Sequence, residues 1–469
     1  VNMQLLSLKN KFKKTYIGLG YHNTVTPSVI LRNILENPGW YTAYTPYQPE
    51  VAQGRLEMLM NFQQMIIDLT GMDIANASLL DESTAAAEAM MMAYKIKKSK
   101  QNTFCLQNFC HPQTVSVLKT RANPLGINII VGEPNDDTFG CFIQNPDTYG
   151  EIHDLEKIIS NNKSREIISI VAADIMSMVI MKSPGFYNAD IVIGSSQRFG
   201  VPMGLGGPHA AFFATKDEFK RLMPGRLIGV SVDRNNRRSY RMALQTREQH
   251  IRREKATSNI CTAQALLAII SAAYAIYHGP ERLKNIANNI NYNARYLKKS
   301  LQEIGFKILS KKFFDTLVIE NTNAKEWFDK SVQEGMNFRL IDNTKFSLTI
   351  DETTTLEDID SLISFFNTSN KKLDIEKIEK NLDDVFSDKG LIRNDQILSH
   401  PIFNIYHSET EMMRYLKKLE NKDIALNRSM IPLGSCTMKL NAASEMLPIT
   451  LPGFANAHPF LEKHQREGY

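Results

Sequence analysis

The sequence predicts an α/β protein, a parallel sheet with covering helices followed by a smaller α/β domain. Three patterns carry that expectation. Short apolar runs at 103–106, 127–131 and 167–172 alternate with helical stretches, as strands joined by crossover helices do. Residues 189–215 read as a buried strand, a small polar turn at Ser195 and Ser196, a glycine-rich loop (Gly200, Gly204, Gly206, Gly207) and a returning strand. Beyond residue 280 a long amphipathic helix leads into apolar runs at 313–319 and 346–350 and a closing helix over 356–366.

Length and composition narrow the class. A chain of 469 residues can hold two or three domains, and 43% apolar with 22% charged residues is ordinary for a globular protein. A net charge of +5, spread along the chain, is too mild to imply nucleic acid. The five cysteines (Cys105, Cys110, Cys141, Cys261, Cys436) show no metal-binding spacing, so no metal is expected and reduced thiols are the default. The longest apolar run, 265–277, has 13 residues and ends at Gly279 and Pro280. A membrane helix needs about 20, so a buried helix is expected there and no membrane partner. The chain opens on Val1 rather than Met, without a signal or transit peptide, and its last residues are still rich in apolar groups. Both ends read as truncated.

Taken in order, residues 37–50 set Trp40, Tyr41, Tyr44 and Tyr47 among Pro and Gly, which excludes a regular helix or central strand. This stretch is either a packed aromatic loop or a wall of a substrate cleft, since Tyr offers a rigid apolar face with a hydrogen-bonding tip. Residues 54–70 form an amphipathic helix, with Leu56, Leu59, Phe62, Ile66 and Leu69 on one stripe and Gly71 closing it. A buried Ala/Met helix follows over 78–93, capped by Ser83 or Thr84. His111 follows the next strand; a lone histidine there is either structural or functional. Residues 234–255 are arginine-heavy but lack interleaved aromatics, so a solvated face or a subunit interface is expected. Residues 367–400 are charged and read as a linker. A capping box, Ser408 with Glu411, starts a helix after it. The loop 429–441, with Cys436 and Lys439, is either a reactive thiolate or anion nest, or a tight packed loop.

Asp174 closes one strand, and the polar turn at Gln197 follows 23 residues later, after a crossover. This layout resembles the pyridoxal-phosphate (PLP) enzymes of the aspartate-aminotransferase-like fold, fold type I. By that resemblance, the strand-end Asp pairs with the pyridinium nitrogen and a Lys in the turn carries the Schiff base. Here the turn holds Gln197, whose amide nitrogen is no nucleophile, and Lys182 and Lys216 lie outside it. His111 occupies the place where a ring stacks on the coenzyme. The helix near residue 82 starts where the phosphate is received, yet Asp81 and Glu82 would repel a dianion there; the same charges also make a good helix cap. His111, Asp174 and Gln197 thus read as a vestigial pocket.

Longer runs resemble one family throughout, the P-proteins of the glycine cleavage system, or glycine dehydrogenases (decarboxylating). They are YTAYTPYQPE (41–50), SLLDESTAAAE (78–88), SQRFGVPMG (196–204), QTREQHIRREK (245–255) and MIPLGSCTMKLN (430–441). Residues 320–345 follow the family least. The resemblance implies two PLP-type halves, of which only the second carries the Schiff-base lysine. It divides this chain into a large domain lacking that lysine (1–280), a small α/β domain (281–366), the linker (367–400) and the truncated start of the second, catalytic half (401–469). The lysine is then expected beyond Tyr469, no catalytic residue is assigned, and the chain alone is expected to be inactive. The complete enzyme is implied to use PLP to decarboxylate glycine, release CO2 and pass the aminomethyl group to the lipoyl arm of H-protein. T-protein and L-protein are the other system members, and a homodimer of the full chain is implied. Tyr44, Thr45, Tyr47, Cys436 and Lys439 are expected to line the cleft. The alternative is a non-catalytic, alpha-type scaffold subunit of a two-subunit P-protein. The implied location is the bacterial cytoplasm, or the mitochondrial matrix in a eukaryote.

Overall fold

The computed structural model describes residues 2–41, 45–97, 101–107, 109–207, 209–245, 249–256, 263–382, 390–425, 427–429 and 442–469. A seven-stranded sheet forms the centre. Its elements, in chain order, are α1 (Gln53–Thr70), β1 (Ile74–Ala75), α2 (Glu82–Lys97), β2 (Thr103–Leu106), α3 (Pro112–Ala122), β3 (Asn128–Val131), β4 (Thr138–Asn145), α4 (Leu155–Ser164), β5 (Ile168–Ala173), β6 (Ile191–Ser195) and β7 (Ala211–Thr215). The spatial order is β1-β7-β6-β5-β4-β2-β3. Strands β2 to β6 run parallel, whereas β7 returns antiparallel to β6 and β1 antiparallel to β7. The parallel expectation therefore fails at one edge: the glycine loop turns the chain back with no crossover helix between β6 and β7.

Burial on both faces explains why these strands read as continuous apolar runs. Val171, Ala173 and Val192 face a core shared with α1, while Ile170, Ala172, Ile191 and Ile193 face one shared with α2. The stripe expected on α1 is fully buried in the first core, and Gly71 ends the helix at φ 69°. An antiparallel ribbon, β8 (Leu227–Val232) and β9 (Arg238–Ala243), leaves Arg238 and Arg241 exposed.

Helix α5 (Ala265–Glu303) joins the two sheets and is broken at Gly279, φ 64° and ψ 176°. Its first part lies in the main core; Leu297 and Leu301 of the second part belong to another. That second core is built on an antiparallel sheet, β10 (Lys307–Ile308), β11 (Thr316–Glu320), β12 (Arg339–Asp342) and β13 (Lys345–Thr349), in the order β10-β11-β13-β12. Helices α6 (Ala324–Gln333) and α7 (Leu356–Phe366) cover it, with α7 started by a Thr355–Asp358 capping box.

Within 367–400, helix α8 (Ile375–Lys380) buries Ile378 against the second core, and Ile397 and Leu398 enter the main one. Helix α9 (Glu409–Glu420) starts at the expected Ser408–Glu411 capping box and buries Met412, Tyr415, Leu416 and Leu419 in the main core. Asp423 then caps α1 from far along the chain: its carboxylate accepts from Gly54 N at 2.6 Å and from Arg55 Nε at 2.8 Å. The last residues fold back on the N-terminal segment, where Asn10 donates to Gly453 O at 2.9 Å and accepts from Gly468 N at 2.7 Å. Among the described residues no helix is long and apolar enough to cross a membrane.

Candidate functional site

Strands β2, β4, β5 and β6 end on one side of the sheet, where an α/β fold presents its ligand crevice. A cavity of about 50 Å³ lies there, lined by Glu82, His111, Asp174, Ser195, Arg198 and Asp315 among others. Asp174 extends directly from β5. One oxygen accepts from Ser177 N at 2.7 Å and the other from Arg198 Nη1 at 2.9 Å. The same Nη1 donates to Asp315 at 2.6 Å, so one guanidinium ties the large sheet's strand ends to the start of the small sheet. Burial opposes the Arg198 charge, but Asp174 and Asp315 outweigh it and raise its pKa. Burial pushes the Asp315 carboxyl up, and Arg198 works against that rise.

Gln197 is completely buried and is absent from the cavity wall. Its Nε2 donates to His22 O and to Val201 O, each at 2.7 Å, and its Oε1 accepts from His22 N at 3.0 Å. The amide therefore clasps the backbone of the N-terminal segment. Leu19, Gly20 and His22 of that segment line the cavity, and a Cβ on Gly20 would stand 3.6 Å from the His111 ring. His111 is buried, with Nδ1 3.1 Å from Thr148 Oγ1; burial first, then Arg339, lowers its pKa to about 3. So His111 and Asp174 share the cavity, whereas Gln197 braces its wall.

At the start of α2 the cap is Asp81, whose Oδ1 accepts from Thr84 N at 2.9 Å, rather than Ser83 or Thr84. A carboxylate at this position accepts from the backbone more strongly than a hydroxyl. Glu82 faces the cavity with Gln144 Nε2 at 3.3 Å from its Oε1. Burial raises its pKa to about 7, with Asp174 and Asp81 adding to the rise against the Gln144 hydrogen bond.

Tyr47 lies in the main core, 2% exposed, beneath the Arg226 guanidinium at 4.4 Å from its ring centre, and is not part of the cavity. Thr45 accepts through Oγ1 from Tyr47 N at 3.3 Å. Tyr44, Cys436 and Lys439 lie outside the described residues. Sequence reasoning missed Arg198, Asp315 and Arg339. Arg198 carried a signal, a charge set between Gln197 and Phe199 inside an otherwise small and apolar loop. Asp315 and Arg339 carried none, because their role comes from the docking of the second sheet.

These residues do not fit the coenzyme implied by the resemblance. The turn offers no amine, Asp174 is held by Arg198, and the helix start is met by two carboxyl groups of its own. The cavity of about 50 Å³ has room for a few water-sized groups rather than a phosphorylated pyridine.

Comparisons with known proteins extend this picture. Residues 1–366 match the family model described as glycine cleavage system P-protein. The glycine dehydrogenase (decarboxylating) of Pelagibacter ubique (strain HTCC1062) is 54% identical over 471 residues, covering 99% of this chain and 49% of its own length. The chain spans about half the length of the curated relatives it matches. A crystal structure of glycine decarboxylase (P-protein) of the glycine cleavage system, in inhibitor-bound form, aligns at 31% identity and a TM-score of 0.71 over 76% of this chain and 84% of that one. An aspartate aminotransferase from Thermus thermophilus aligns at 13% identity and a TM-score of 0.51 over 78% and 100%, a likeness of fold. The expected fold type I architecture is the one observed.

Proposed function

Because this chain belongs to the glycine cleavage system P-protein family, we propose that it serves glycine decarboxylation as a half that holds no coenzyme. The observation carrying this reading is Gln197: an amide commits both its N–H donors and its oxygen to the backbone of His22 and Val201 where an amine would be needed. The coenzyme PLP and its lysine then come from polypeptide outside these residues. With that half, the enzyme would release CO2 from glycine and pass the aminomethyl group to the lipoyl arm of H-protein, alongside T-protein and L-protein. The part played by this chain is rigid support. The Asp174–Arg198–Asp315 bridge holds the strand ends and the small sheet in one orientation, and Trp40 and Tyr47, both packed in the main core, form a base for the other half. A homodimer of the full assembly is part of the same reading.

The test is reconstitution. The purified chain with PLP and glycine should neither trap coenzyme on borohydride reduction nor release CO2; adding a lysine-bearing second half should restore glycine-dependent CO2 release and H-protein aminomethylation. Turnover by this chain alone would end the proposal. A self-standing scaffold subunit is the second reading, favoured by the packing of α9 and Asp423 into the main core. A discrete second polypeptide in the native complex would select it.

A further inference from the structure

Cys105 of β2 and Cys141 of β4 stand directly opposite each other in the parallel ladder, so their side chains leave the sheet on the same face. Neighbouring strands lie about 4.8 Å apart, inside the Cα separation of about 4.4–6.8 Å that a disulfide spans. The two thiols already touch: the Cys141 S–H donates to the Cys105 sulfur, and the Cys105 S–H donates to Gly132 O at 3.1 Å. The first of these bonds favours a thiolate at Cys105 and disfavours one at Cys141, which makes one sulfur the attacking group and keeps the other a thiol. Both residues are fully buried, yet they belong to neither main core; with Ile167 and the half-buried Ile130 they form a small cluster of their own. Ile130 lies on β3, the edge strand, and Glu133 and Arg165 are the charged groups acting on both thiols. Arg165 ties down the loop after β3, donating to Pro134 O at 2.8 Å and to Asp136 at 3.4 Å. The pair thus lies beneath a surface loop beside the sheet's edge, where local opening precedes global unfolding.

From this placement we propose that Cys105 and Cys141 are a reversible oxidation site that closes to a disulfide, with hydrogen peroxide as the oxidant. The Cys105 thiolate attacks one peroxide oxygen, the O–O bond breaks, and Cys105 becomes a sulfenic acid as the first water leaves. The Cys141 sulfur then attacks the Cys105 sulfur, the S–O bond breaks, and a second water leaves. Two thiols and one peroxide give one disulfide and two waters: the sulfurs are oxidised, and the peroxide oxygens take the two electrons and the two thiol protons. A dithiol reductant reverses the step by thiol–disulfide exchange. The bond encloses residues 106–140, with α3 and His111 among them, in a covalent loop anchored near the sheet's edge. The inference goes beyond the proposed function and needs no turnover.

Peptide mapping by mass spectrometry tests it on the whole purified chain, fully reduced and then exposed to micromolar hydrogen peroxide under native conditions. Cys105 and Cys141 should lose their thiols together, and the peptides carrying them should appear as one linked pair, lighter by about 2 Da than their sum. Dithiothreitol should return both thiols. Cys110 is the internal control: it belongs to the core shared with α2, burial pushes its thiol up to about 12, and it should stay reduced. Cys105→Ser and Cys141→Ser should each abolish the link, and Cys110→Ser should leave it in place. No linked pair in the wild-type chain, a link from either residue to another cysteine, or a link that forms only once the chain is unfolded would overturn the proposal.

Discussion

Replacing Gln197 with lysine restores the residue type that a fold type I coenzyme site needs, and the geometry says it will not restore the site. Three hydrogen bonds join the amide to buried backbone: Nε2 to His22 O and Val201 O, and His22 N to Oε1. A lysine ammonium can donate to both carbonyls but cannot accept from His22 N, and an unsatisfied buried donor costs about 1–3 kcal/mol. Placing the ammonium where Gln197 is wholly buried adds a desolvation penalty of several kcal/mol, eased only by its deprotonation. The Gln197→Lys variant should therefore lose about 3–6 kcal/mol, a large share of the 5–15 kcal/mol typical of a domain. Urea denaturation followed by far-UV circular dichroism measures this. Coenzyme spectra and borohydride trapping of the still-folded variant should show no covalent PLP, because Leu19, Gly20 and His22 keep the space. A variant of wild-type stability that traps one PLP per chain would refute the reasoning.

Three other substitutions or titrations probe the same packing. Arg198→Met strands Asp174 and Asp315 side by side without their shared cation, which should cost about 3–5 kcal/mol at neutral pH and less in acid, where the carboxyl groups take up protons; denaturation at two pH values reads it. His209 and His458 are buried and neutral, burial lowering each pKa to about 4 from 6.5, so the folded chain binds fewer protons than the unfolded one. Stability from this source is complete above pH 6.5 and is lost as pH falls toward 4, about 3 kcal/mol apiece, and His458→Gln should flatten the stability–pH slope by about one proton. Asp423→Ala removes the cap of α1 and leaves the Arg55 charge buried without its carboxylate, which should cost about 3–5 kcal/mol and open residues 401–429 to limited proteolysis.

What was legible in the sequence is what local chemistry decides. The runs at 168–173, 191–195 and 211–215 announced themselves because both faces are buried, and Ser408–Glu411 announced a helix because both cap partners lie within one turn. Strand β4 escaped notice although all eight of its residues are buried, because Gly140 interrupts it and Gln144 and Asn145 end it on polar groups. The ribbon β8–β9 hid behind its arginines, because Arg238 and Arg241 lie three residues apart and break the two-residue alternation that marks a half-buried strand. At the site, the absence of an amine at Gln197 could be read directly; its clasp on His22 could not, since 175 residues separate the two. The cap that Asp423 places on α1 is hidden for the same reason, 369 residues apart.

The break in α5 bears on how such a chain can vary. At Gly279 the backbone takes φ 64°, and a Cβ there would stand 2.4 Å from the His407 ring. Every other residue type is thus penalised twice, by its own torsion and by a neighbour from a distant stretch. The bend sets the bearing on which the second sheet meets the first, and only on that bearing does Asp315 arrive at the guanidinium it shares with Asp174. One hydrogen atom in place of a methyl group, far from any strand end, governs the alignment of two cores.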